Sequence, residues 1–176
     1  MKLYVARHGQ TIWNVQNKVC GMTDIELTEK GVEQAKNLAY EVQNYDVDMI
    51  ISSPLKRAME TSKIVGEKCN IAIQIEERLV EQNYGIYEGI DRKNEEFLNN
   101  KRNFAYRYPK GESMMQVAYR IYGLIDEIKE KYPEKNILII SHGGVCRIIN
   151  TYFKDMTNEE FFNYTLANGK LEKYEL

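Results

Sequence analysis

Two unbroken apolar runs frame the chain, Leu3-Tyr4-Val5-Ala6 near its start and Ile137-Leu138-Ile139-Ile140 near its end. Runs without polar alternation suit strands that helices cover on both faces. Between them the apolar period changes to that of a helix. Val32, Ala35, Leu38, Ala39 and Val42 form one stripe behind Thr28, which has the chemistry of an N-cap, and predict a helix to about residue 44. Val117, Ile121, Leu124, Ile125 and Ile128 form another behind Ser113, whose spacing to Gln116 is that of a capping box. Residues 48–52 and 71–75 read as short strands. They flank a helix opened by Ser53 as N-cap and Pro54 at its first position, running to about residue 69. A short polar helix is predicted over 95–104, another from about 144 to 153, and a further capping box at Thr157–Glu160. Asn168-Gly169 is either a hairpin turn or the entry to one edge strand. Alternating strands and helices predict an α/β fold with a largely parallel, helix-flanked sheet.

Length and charge narrow the class. The 176 residues suffice for one domain, and no linker, repeat or low-complexity stretch divides them. With 24 basic and 26 acidic residues the net charge is −2, so no bulk field attracts nucleic acid. Cys20, Cys69 and Cys146 are odd in number and lack metal-site spacing, as in a reduced protein. The strand pattern begins at once, without a cleavable leader, and no apolar run approaches the ~20 residues of a membrane span. We therefore expect a cytoplasmic protein with no membrane or nucleic-acid partner.

The two histidines of the chain are the candidate chemistry. His8 follows the first apolar run in Arg7-His8-Gly9, and His142 follows the second in Ser141-His142-Gly143-Gly144. In parallel sheets, ligands bind outside the carboxyl ends of strands. Neutral imidazole is a nucleophile, nearby guanidinium disfavours its protonation, and guanidinium also grips phosphoryl oxygens through paired hydrogen bonds. Glycines opening a helix let backbone N–H groups approach an anion. Arg57 falls in the first turn of a helix just past a strand, where a cation opposes the dipole unless it serves another purpose or pairs with Glu60. Glu81 is a possible general acid if the chain returns it to the strand ends, and otherwise a surface glutamate.

These segments together resemble the histidine phosphatase superfamily, the phosphoglycerate mutase-like family. The resemblance lies in Arg7 to Asn14, Ser52 to Thr61, Arg78 to Gly89 and Ser141 to Arg147, in the family's order, with Gly111-Glu112-Ser113 as its helix start. It implies a three-layer α/β/α sandwich over residues 1–176, in which about 82–111 caps the substrate. It implies that His8 is the nucleophile that becomes phosphohistidine. Arg7, Arg57 and His142 would hold the phosphoryl oxygens and Glu81 would give the leaving group its proton. Asn14, the Cys20-Gly21 turn and Gly143 would line the phosphate pocket, with no metal or cofactor. Gln10 stands where the family often has glutamate, and Cys20 where a small hydroxyl residue is common.

The resemblance implies a phosphatase acting on a small phosphorylated molecule. Mutases of the family use the same histidine but carry a long insertion before the Gly-Glu-Ser block, absent here, which favours hydrolysis. A protein phosphohistidine phosphatase and an inactive phosphate-binding module are the remaining alternatives; the presence of Glu81 argues against the first and the full set of side chains against the second. Arg92, Lys93, Arg102 and Arg107 either meet a second anionic group or form a solvated surface. Tyr84, Tyr87, Tyr106 and Tyr108 either meet a ring-bearing substrate or pack the cap. Arg57, assigned to charge, is expected to matter for rate far more than for stability.

Overall fold

A computed structural model describes residues 1–175. Five strands form one sheet in the order β3-β2-β4-β1-β5: β1 (Lys2–Arg7), β2 (Met49–Ser52), β3 (Ile73–Ile75), β4 (Ile137–Ser141) and β5 (Leu171–Glu175). All neighbours are parallel except β5, which runs antiparallel along β1 and resolves the tail as an edge strand. The long helices are α2 (Glu29–Val42), α3 (Lys56–Cys69), α5 (Met114–Lys131) and α6 (Gly143–Phe153). The short ones are α1 (Ile12–Val15), α4 (Glu95–Lys101) and α7 (Asn158–Asn163).

Side-chain alternation along the strands divides the core into two layers. Leu3, Val5, Ile137 and Ile139 pack with Val117, Ile121, Leu124, Ile125 and Ile128 of α5 and with Val145 and Ile149 of α6. Tyr4, Ala6, Leu138 and Ile140 pack with Leu38, Ala39 and Val42 of α2 and with Ala58 and Val65 of α3. Every residue of β4 is buried, which is why its run carries no alternation. The result is the expected three-layer α/β/α sandwich. A third, smaller cluster joins Val19 to Tyr87, Phe97 and Tyr108, with Tyr84, Ile90 and Tyr106 against it. The tyrosines of the 82–111 segment thus pack that segment.

The capping boxes at Ser113–Gln116 and Thr157–Glu160 form, and Thr28 caps α2. The α3 start differs from expectation. Ser53 does not cap it; the helix begins at Lys56 behind Leu55, which gives no side-chain cap. The Lys56 N–H is instead satisfied by Asp24 Oδ1 at 2.7 Å, from a distant loop. The Ser53 hydroxyl is committed elsewhere, to a histidine.

Candidate active site

Parallel register brings the two histidines together. Arg7 lies opposite Ser141 in the β1–β4 ladder, so the next residue on each strand, His8 and His142, leaves the sheet at the same level. The His8 N–H donates to the Ser141 carbonyl at 3.0 Å, and the two rings lie 5.1 Å apart. The turn after β1 is held by close backbone packing: a Cβ on Gly9 would sit 2.2 Å from the Gly31 carbonyl oxygen, so only glycine fits. The Gly9 N–H donates to Thr61 Oγ1 at 3.1 Å, tying the turn to α3.

His8 is buried, and its Nδ1 lies 2.6 Å from the Gly9 carbonyl oxygen. A carbonyl only accepts, so Nδ1 carries the proton and Nε2 keeps its lone pair. Burial first, then Arg57 and Arg7, hold this imidazole well below its ordinary pKa. His142 is neutral for similar reasons, burial and then Arg57. Its Nδ1 accepts from Arg57 Nε at 3.1 Å, and its Nε2 donates to Ser53 Oγ at 2.7 Å.

Arg57 is 1% exposed and is paired with no carboxylate among the described residues. Its Nη1 donates to the Thr23 carbonyl at 2.9 Å and its Nη2 to that of Gly21 at 2.7 Å. Arg7 donates from Nη1 to the Leu166 carbonyl at 3.0 Å, while its buried Nε has no partner among the described residues. Arg7 lines a cavity of about 190 Å³ together with Cys20, Glu81, Gly143 and Gly144. Glu81 is buried there, its Oε1 accepting from the Gln82 N–H and its Oε2 from the Gly144 N–H, both at 2.9 Å.

Of the candidate residues, Arg7, Cys20, Glu81 and Gly143 therefore line the cavity, and His8, Arg57 and His142 form the buried group beside it. Asn14 and Gly21 do not line it. Asn14 Oδ1 accepts from Asn168 Nδ2 at 3.3 Å, and Asn168 also donates to the His8 carbonyl at 2.9 Å. The Gly21 N–H is taken by Glu88 Oε2 at 3.0 Å, so Gly21 serves the site through its carbonyl to Arg57. Burial raises the Cys20 thiol pKa, which keeps it protonated.

Sequence reasoning missed Asn168, Glu88, Lys101 and Arg147. Asn168 and Glu88 act only through contacts across loops, and nothing in the local pattern at Lys101 or Arg147 assigns either a role. Of the four cations singled out in the cap, Arg92 lines the cavity, while Lys93, Arg102 and Arg107 are exposed. Among the described residues no cluster of three or more His, Cys, Asp or Glu is placed to hold a metal ion. No described helix is long and apolar enough to cross a membrane.

A buried histidine whose Nε2 has no partner among the described residues, two arginines and a carboxylate gather at the carboxyl end of a parallel sheet, a set of groups with the chemistry that phosphoryl transfer uses. Residues 3–176 match the family described as histidine phosphatase superfamily (branch 1), and the chain belongs to it as an enzyme of the phosphatase type. It is 33% identical over 147 residues to the uncharacterized phosphatase PhoE of Bacillus subtilis, covering 84% of this chain and 74% of that one. It is also 33% identical over 150 residues to the probable phosphoglycerate mutase GpmB of Yersinia pestis, covering 81% and 70%. Among solved structures, a mycobacterial glucosyl-3-phosphoglycerate phosphatase with VO3 superposes with a TM-score of 0.89 at 25% identity, over 98% of this chain and 90% of that one.

Proposed function

We propose that this chain is a metal-independent phosphatase that hydrolyses small phosphomonoesters through a phosphohistidine on His8. The observation that carries this reading is the His8 tautomer: Nδ1 is tied to the Gly9 carbonyl, and Nε2 is unprotonated among buried guanidinium groups. The VO3 complex of the mycobacterial relative supports it, since vanadate adopts the geometry of a phosphoryl group in transfer.

In the first step His8 Nε2 attacks phosphorus and the P–O ester bond breaks. The leaving oxygen takes a proton from the Glu81 carboxyl. Arg7 Nε and the unused Arg57 N–H groups stabilise charge on the equatorial oxygens. The His142 Nε2–H passes from Ser53 to a phosphoryl oxygen. In the second step water attacks phosphorus, Glu81 takes its proton, and the N–P bond breaks to give phosphate and neutral His8. Residues 82–111 cap this reaction, bringing Tyr84, Arg92, Phe97 and Lys101 over it.

Hydrolysis of p-nitrophenyl phosphate by wild type and by His8→Ala, with EDTA present, tests the reading. Turnover in wild type alone, with a phosphoenzyme stable in alkali and lost in acid, is the expected result. Full activity in His8→Ala, or strict dependence on added Mg²⁺, overturns it. Interconversion of phosphoglycerates without phosphate release would replace it with the mutase reading that the GpmB relative suggests.

A further inference from the structure

The cavity that takes in Arg7 and Glu81 is also lined by Arg92, Lys101 and Arg147. These cations come from three places: the turn before α4, the last residue of α4, and α6. None of them has a carboxylate within ion-pair distance among the described residues. Glu81 is the only acidic residue lining it among the described residues, and both of its oxygens already accept backbone N–H groups.

This lack of partners is local. Elsewhere Arg78 pairs with Glu76 at 2.8 Å and Glu127 at 2.7 Å, and Arg120 with Glu112 at 3.1 Å. In the cavity, Arg92 Nε donates to the Lys18 carbonyl at 2.8 Å and Arg147 Nε to that of Tyr164 at 3.2 Å. Each guanidinium is thereby aimed while its terminal nitrogens are left over. Lys101 Nζ has no hydrogen bond or ion pair among the described residues, and burial with Arg147 and Arg92 nearby pushes its pKa down to about 8. Like charges gathered without counter-charge oppose folding, so their retention in a cleft points to a ligand that neutralises them.

One phosphoryl group against His8 is served by Arg7 and Arg57. Three further cations exceed its needs. We infer that the substrate carries a second anionic group, a carboxylate or a second phosphoryl, held by Arg92, Lys101 and Arg147. This rests on the phosphatase reading above and specifies its substrate. The cavity of about 190 Å³ is smaller than the ~300–1,000 Å³ of sites for drug-sized ligands. The second anion therefore stands only a few bonds from the ester oxygen.

The test compares 2-hydroxyethyl phosphate with phosphoglycolate, which replaces its alcohol carbon by a carboxylate, and with ethane-1,2-diol bisphosphate, which adds a second phosphoryl. We expect kcat/KM for at least one anionic analogue to exceed that of the neutral one tenfold or more. The better analogue identifies the group. The ratio should fall toward one in Lys101→Met and in Arg147→Met. A ratio near one in wild type, or one unchanged in both variants, overturns the inference while leaving the phosphatase reading intact. If wild type hydrolyses none of these and not p-nitrophenyl phosphate either, the phosphatase reading fails instead. Calorimetric Kd values for the same three compounds then decide the second anion, because nothing is consumed: tighter binding of an anionic analogue upholds it and equal binding overturns it.

Discussion

Arg57 Nε donates to His142 Nδ1 at 3.1 Å across 85 residues of sequence, and this bond decides which nitrogen of His142 carries a proton. A guanidinium cannot accept, so Nδ1 is bare and Nε2–H points to Ser53. The same guanidinium holds the Gly21 and Thr23 carbonyls. This alters the expectation that Arg57 matters for rate alone. Arg57→Ala leaves buried acceptors unpaired, at about 1–3 kcal/mol for each, so it costs stability as well. Arg57→Lys is the sharper variant. It keeps the charge but not the planar fork that reaches three partners at once. We expect kcat to fall by about 10²–10³, the scale of losing one preorganised donor. Steady-state rates with p-nitrophenyl phosphate check this; an unchanged kcat would mean that charge alone suffices.

The two histidines also set a pH dependence of stability. Burial and the neighbouring arginines hold both well below the ordinary imidazole value in the folded protein. The unfolded chain, titrating near 6.5, binds protons that the fold refuses. Their stabilising contribution is therefore full above about pH 6.5 and is lost as pH falls below it, at up to about 1.4 kcal/mol per pH unit for each histidine. Urea unfolding between pH 5 and 7 in phosphate-free buffer should give a shallower slope for His8→Asn than for wild type, the difference approaching one proton toward pH 5 and falling to about half a proton near pH 6.5. Identical slopes would show that His8 is not held neutral.

Gly144 sets the position of Glu81. A Cβ at residue 144 would lie 2.5 Å from Glu81 Oε1, and the carboxylate is the partner able to move. The carboxylate moves only by giving up the N–H groups of Gln82 and Gly144, so Gly144→Ala should also cost about 1–3 kcal/mol of stability, although alanine itself suits a helix. Displacing a general acid removes about 10²–10⁴ in rate. The loss should be larger for an alkyl phosphate, whose leaving oxygen needs the proton, than for p-nitrophenyl phosphate. Equal losses on both substrates would place the effect somewhere other than Glu81.

Much of this architecture was legible because the residues concerned obey local rules. The β1 and β4 runs are continuous because both faces are covered, and the stripe from Val117 to Ile128 is buried as its spacing requires. Meetings between distant segments were not legible. Nothing local to Ser53-Pro54 reveals that the serine hydroxyl is taken by His142, or that Asp24 supplies the helix start instead. Lys101 stands in a polar stretch and Arg147 in an apolar one, and only the fold turns them onto one cavity. The β1–β4 register likewise joins residues that no sequence pattern connects.

Glu88 shows how far such long-range positioning extends. Its Oε2 accepts from the Gly21 and Thr23 N–H groups and from the Thr23 hydroxyl, and its Oε1 from the Met22 and Tyr84 N–H groups. One carboxylate thus fixes the loop whose carbonyls at Gly21 and Thr23 hold Arg57. Glutamine at 88 has a single acceptor oxygen, and its amide group would face backbone donors. We expect Glu88→Gln to lower kcat about tenfold, because a loop free to shift releases Arg57 from the geometry that stabilises the phosphoryl oxygens, a loss of about 1.4 kcal/mol in transition-state binding. Vanadate inhibition should weaken in proportion to kcat/KM, as expected of an interaction made chiefly in the transition state. If kcat/KM falls while vanadate affinity holds, Glu88 acts on folding of the cap and not through Arg57.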